Sequence, residues 1–286
     1  MAFVRNGGKR EDRIGLRLIT VAALAGWIWL GLTLIYVLKT SDAAGLGPGM
    51  TIFDRFSALG VLPREIRAAL ATLCVPSAGG IWSPASLAAD FAMWEAMVLA
   101  MMLPGATPAL TLASRGTRSL AASAFVIAGY LLVWTLFAAA MTVASALLTA
   151  VRILSGPMGA MVTTLSATTL FAAGLYQFTP WKDACLTRCR FPARLLGIEP
   201  LDGMGLFRRG VARGIDCLGC CWALMAAMLA VGVMNIVWMV GLMAVMTVEK
   251  GVSGTAIRSA IGIGLILLAV LILAQSPAGL RVLHLA

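Results

Sequence analysis

Long apolar runs separated by short polar segments dominate the chain. Six such runs lie near residues 17–38, 86–113, 120–149, 158–178, 217–248 and 256–275. Each is about as long as the roughly 20 residues a helix needs to cross a bilayer core. The runs are continuous rather than alternating, which argues against barrel strands of about ten residues each. The expected fold class is therefore all-α, a polytopic membrane bundle of about six transmembrane helices forming a single membrane domain over residues 1–286.

Composition strengthens this reading. Of 286 residues 60% are hydrophobic and 12% charged, with a mean hydropathy of +0.95, so the side chains call for lipid as solvent. The first run follows Arg5, Lys9, Arg10, Arg13 and Arg17, as a secretory signal would. It is too long for a signal core and lacks a clear small-x-small cleavage site, which makes it a retained anchor. The basic N-terminus (1–16) is expected to be cytoplasmic.

Orientation follows from Lys and Arg, since positive segments stay cytoplasmic. The N-terminus holds five, the connection after the second run has Arg115 and Arg118, and the connection over 179–214 has seven from Lys182 to Arg213. With Arg281 these outweigh Lys39, Arg55, Arg64, Arg67, Arg152 and Lys250 on the other side. The expectation is a bacterial inner membrane protein with both termini cytoplasmic. Its net charge of +10 then serves topology and contact with anionic membrane lipids. No basic-aromatic surface points to nucleic acid.

The connection over 39–85 is expected outside, with short surface helices suggested by the spacing of its apolar residues. Ser83 and Pro84 read as the cap and first turn of the second run, with Trp82 and Trp94 at interfacial depth. Trp94, Met97 and Met101 are echoed by Trp222, Met225 and Met228, each set in the middle helix of three. This fits an inverted 3+3 repeat, and equally a chance match between Met- and Ala-rich helices.

Sulfur is the chemical anomaly. Of 16 methionines, ten fall in the second and fifth runs: Met93, Met97, Met101 and Met102, then Met225, Met228, Met234, Met239, Met243 and Met246. Met93, Met97 and Met101 share a helix face, as do Met239, Met243 and Met246. Any one methionine is more often a gap filler than a ligand. Five of the six cysteines, Cys185, Cys189, Cys217, Cys220 and Cys221, lie within 37 residues, and Cys217 and Cys220 have the spacing with which two thiolates close on one ion. On the cytoplasmic side they stay reduced. Thioether and thiolate are soft ligands that suit Cu(I), while the cysteine spacing suits structural zinc nearly as well. The expected geometry brings Cys185, Cys189, Cys217 and Cys220 together, with Cys221 turned away or serving as a spare. The second and fifth runs should pack so that Met97 and Met101 approach Met234 to Met239.

The lone histidine, His284, leaves His-ligated haem, di-iron and His-rich metal centres without enough ligands. No P-loop, nucleophile elbow or Ser-His-Asp set is present, and an enzyme is the less favoured class. Asp90, Glu95 and Asn235 are polar candidates at membrane depth. Asn235 reads as helix glue or as lining for a polar path. Pro104 interrupts the second run and frees a carbonyl.

The stretches AMWEAMVLAMMLPG, GLYQFTPWKDACLTRC (174–189) and CLGCCWALMAAMLAVGVMNIVWM, followed by EK at 249–250, resemble a bacterial family of multi-pass membrane proteins described as predicted metal-binding and copper-chaperone-like. The resemblance implies that Met97, Met101, Met102, Cys185, Cys189, Cys217, Cys220, Cys221, Met225, Met234 and Asn235 occupy its motif positions. Two functions remain in view. One is a soft-metal protein, with Cu(I) moved or stored between Met-lined helices and the cysteine cluster and exchanged with a soluble metal carrier. The other is a scaffold or assembly factor for membrane oxidase subunits, with zinc or no metal.

Overall fold

The computed structural model describes residues 4–40, 83–113, 120–151, 153, 163–190, 202–232, 235–252 and 254–274. Every regular element among them is helical, as the hydropathy pattern requires. The helices are α1 (Val4–Thr40), α2 (Pro84–Met97), α3 (Leu103–Ala113), α4 (Leu120–Ala150), α5 (Thr163–Tyr176), α6 (Pro180–Arg190), α7 (Gly203–Val231), α8 (Ile236–Gly251) and α9 (Thr255–Ala274). A π-helical stretch, Val98–Met102, joins α2 to α3. Five helical stretches are long and apolar enough to cross a membrane: Gly15–Ile35, Pro84–Thr111, Leu120–Ala150, Gly203–Val231 and Thr255–Ala274. Of the connection over 39–85, residues 41–82 lie outside the described residues, and with them the stretch where surface helices are expected, Cys74 and Trp82.

Local chemistry explains where α2 begins and bends. The Ser83 hydroxyl accepts from the Ser86 N–H at 3.2 Å, and Pro84 occupies the first turn, where its missing donor costs nothing. Farther along, Pro104 has no N–H to offer the preceding turn. The Ala100 carbonyl instead accepts the Trp27 indole N–H from α1 at 3.1 Å, and the Met102 carbonyl accepts the Tyr130 hydroxyl from α4 at 3.2 Å. The expected freed carbonyl is thus present and bonded to a neighbouring helix. Trp94 faces the protein interior. It is fully buried, edge-on to Phe137 with ring centroids 6.2 Å apart.

The closest helix pair is α4 with α7, which run parallel: Gly129 lies on Phe207 and Val211, Gly210 on Val126 and Tyr130, and Gly214 on Val133. Apolar packing against lipid gives helices little reason to associate, so small residues that admit close backbone approach are the usual solution. A Cβ added at Gly210 would overlap the Val126 carbonyl oxygen. Gly210→Val should therefore cost at least about 1–3 kcal/mol through overpacking, read as a lowered thermal midpoint in detergent. An unchanged midpoint would contradict this packing.

The fifth run departs from expectation. It is not one helix over 217–248 but two, α7 and α8, broken at Gly232, whose φ of 98° is a left-handed value that suits glycine. Asn235 caps α8, its side-chain oxygen accepting from the Trp238 N–H at 3.3 Å. Its primary role is thus to end one helix and start the next. The start of α7 also differs: Asp202 caps it by accepting from the Gly205 N–H at 2.8 Å. Residues 203–214 are consequently helix packed on α4 rather than part of a connection over 179–214. Cys217 lies midway along this 29-residue helix, not at its mouth.

The break redirects the end of the chain. α5 runs antiparallel to α7, with Ser166 donating to the Ala230 carbonyl at 2.9 Å and Tyr176 to the Gly219 carbonyl at 2.5 Å. α9 runs antiparallel to α5, since Gly174 packs on Gly262 and Ile266 while Gly262 packs on Phe178, and Arg258 pairs with Asp183. α9 therefore shares the direction of α7 and ends at the opposite end of the bundle from the beginning of α1, where Gly15 lies against Ser123 at the start of α4.

Candidate metal site

The candidate site forms where α6 crosses α7. Cys217, Cys220 and Cys221 stand at i, i+3 and i+4, one face of a helix, and all three are buried. From α6, Cys189 reaches the same face. The sulfurs of Cys189, Cys217 and Cys220 all lie within 4.8 Å of one another, with 3.8 Å between Cys189 and Cys220. Cys221 Sγ is 3.3 Å from Cys220 Sγ, and Cys220 donates to the Cys217 carbonyl at 3.1 Å. The five described cysteines are all free thiols.

The expected foursome is thus changed at one position. Cys221 joins the group, and Cys185 does not: its sulfur lies on the backbone of Gly219, where an added Cβ would stand only 2.5 Å away. α6 crosses α7, so two cysteines one turn apart on α6 meet different faces of α7. Burial, reinforced by the Asp216 carboxylate, pushes the Cys185 thiol up. The Cys189 thiol is also pushed well up, first by its hydrogen bond to Cys217, so metal binding has a proton to displace there.

Charged and polar groups not anticipated as site residues surround the sulfurs. Tyr130 Oη is 3.2 Å from Cys217 Sγ, and Lys250 Nζ donates to the same sulfur at 3.3 Å. Lys250 was expected on the far side of the membrane. The reversal at Gly232 returns the end of α8 to the level of Cys217. Glu249 is buried against Lys182 at 2.8 Å, while its backbone carbonyl accepts both Arg190 Nε at 2.9 Å and Nη2 at 2.6 Å. Arg188 and Arg213 approach Asp216 at 3.6 and 3.1 Å. These contacts tie α6, and Cys189 with it, to α7 and α8.

Met97, Met101, Met102 and Met225 are buried within the bundle, as are Met93, Met228, Met239 and Met246. The π-helical stretch carrying Met101 and Met102 packs on α8, which carries Met239. Met234 lies outside the described residues. Asp90 is buried and hydrogen-bonded to Ser145, while half-buried Glu95 is hydrogen-bonded to Thr135. One oxygen of each has no partner.

Three clustered cysteine sulfurs that could hold a soft metal ion, set in a bundle with five helices long and apolar enough to cross a membrane, define the class of site. Over residues 91–272 the chain matches the PpoB2 family, described as copper chaperone, and it belongs to that family. No curated protein and no solved structure matches it. The matched range contains the whole cysteine group.

Proposed function

We propose that this protein carries Cu(I) within the bacterial inner membrane, binding it through Cys189, Cys217 and Cys220 and exchanging it through Cys221. The observation behind this reading is the mutual approach of three sulfurs within 4.8 Å on two helices. Cu(I) is satisfied by two or three thiolates. Cys221, 3.3 Å from Cys220, provides a sulfur onto which the ion can step without leaving the thiolate environment. A structural zinc ion would instead use all four at about 2.3 Å each.

The sulfur cluster shares its level with the basic helix α6 and with the arginine-bearing first half of α7, which favours placing it near the cytoplasmic boundary. A soluble metal carrier is the fitting donor or acceptor there. The buried methionines between the cluster and the Asp90 end of α2 are the candidate weak ligands for onward movement, with membrane oxidase subunits as candidate recipients. Purified protein titrated with Cu(I) against a chromophoric chelator tests the reading. One Cu(I) per chain, exchangeable with a thiol-containing carrier, is expected. Failure to compete for Cu(I), or tight zinc that Cu(I) does not displace, would reject it.

A further inference from the structure

The adjacent charges Glu249 and Lys250 have separate partners. Glu249 is neutralised by Lys182 at 2.8 Å. Lys250 makes no ion pair with a carboxylate among the described residues; its Nζ is directed at Cys217 Sγ, 3.3 Å away. Space for it comes from Gly105 on α3, where an added Cβ would stand 3.2 Å from Nζ and 3.5 Å from Cδ. An ammonium is costly to hold in such surroundings without an anionic partner. The thiolate cluster is the partner this geometry offers.

We infer that Lys250 is a specificity-determining residue of the thiolate site, a fixed positive charge that favours a monovalent over a divalent ion. The inference rests on the proposed Cu(I) site. Three thiolates around a monovalent ion leave two net negative charges, and around a divalent ion only one. A cation next to one of the sulfurs stabilises the more negative complex more, and it does so strongly in a site shielded from water. The ammonium touches the metal-bound sulfur rather than the metal, so it acts through the ligand and leaves the coordination number unchanged.

The test uses the full-length protein in detergent with Cys221→Ala throughout, so that both probe ions meet the same three sulfurs. Affinities for Cu(I) and for Cd(II) are measured by chelator competition in Lys250→Met, Lys250→Gln, Lys250→Arg and Gly105→Ala. Removing the charge in the Met and Gln variants should weaken Cu(I) about 10- to 100-fold more than Cd(II). Arg should keep the ratio, and Gly105→Ala, which displaces the ammonium without removing it, should shift the ratio in the same direction by less. Should Lys250→Met fail to fold, the Gln and Gly105→Ala variants decide the matter. Equal losses for the two ions would make Lys250 a merely structural residue and overturn the inference, leaving the Cu(I) site standing. Absence of Cu(I) binding before any change at position 250 would overturn the site itself.

Discussion

Replacing Cys217 and Cys220 together by Ala should abolish Cu(I) binding, lowering affinity by roughly a thousandfold or more because two of three soft ligands are lost. Cys217 is the hub of the site: its sulfur meets Tyr130 and Lys250 as well as the other members of the cysteine group. Cys189→Ala alone should produce a large loss, because it removes the ligand that α6 contributes. Cys185→Ala should leave affinity within about threefold, since its sulfur lies on Gly219 and alters the site only by packing. Chelator competition on the purified variants measures all of these. A Cys185 variant as impaired as Cys189→Ala would mean that α6 presents a different face to α7. The double variant keeps every methionine, and its far-ultraviolet circular dichroism should match that of the parent.

The second large effect concerns the buried pair Lys182–Glu249, with both side chains only 1% exposed. Removing one partner leaves the other charge buried and unpaired, which typically costs about 3–5 kcal/mol. Glu249→Ala and Lys182→Met should each lower the denaturation midpoint sharply. The double variant Lys182→Met with Glu249→Leu should recover much of the loss, because apolar substitutes in place of a buried pair are often neutral. Either single variant should also weaken Cu(I), since the pair anchors α6 and Cys189 rides on α6. A double variant less stable than both singles would show that the pair contributes more than charge cancellation.

Much of this arrangement was legible in the chain. Runs of about 20 apolar residues read correctly as helices because lipid leaves the backbone few alternatives. The freed carbonyl near Pro104 followed from a missing N–H, whereas the π-helical stretch beside it did not show in the sequence. The clustering of cysteines was visible, but which of their sulfurs meet was not. Cys217 and Cys221 stand one helical turn apart, so they share a face whatever else packs there, whereas Cys185 depended on the crossing of two helices, which spacing does not encode.

The reversal at Gly232 was hidden for a different reason. Hydropathy records how apolar a segment is and not which way it runs, and GVMN is nearly as apolar as its flanks. Lys250 was consequently assigned to the wrong end, and its place beside Cys217 became visible only with the turn. Tyr130, in the middle of an apolar run, carried no signal apart from being a polar group at depth, where a partner is required. The long basic connection was shortened for a similar reason, because Arg208, Arg209 and Arg213 masked an amphipathic first half of α7 whose glycine face belongs to α4.

The π-helical stretch between α2 and α3 holds one residue more than a regular turn would. The half of this membrane crossing that carries Asp90, Met93 and Met97 and the half that carries Gly105 beneath Lys250 are thus phased to each other by the wider winding of Val98–Met102. Winding the same five residues as regular α-helix would turn one half against the other by about 90°, swinging the methionines away from the core or Gly105 away from Lys250. Along this stretch the spelling of the sequence is negotiable among apolar residues, whereas the looser winding is what keeps the two halves in step.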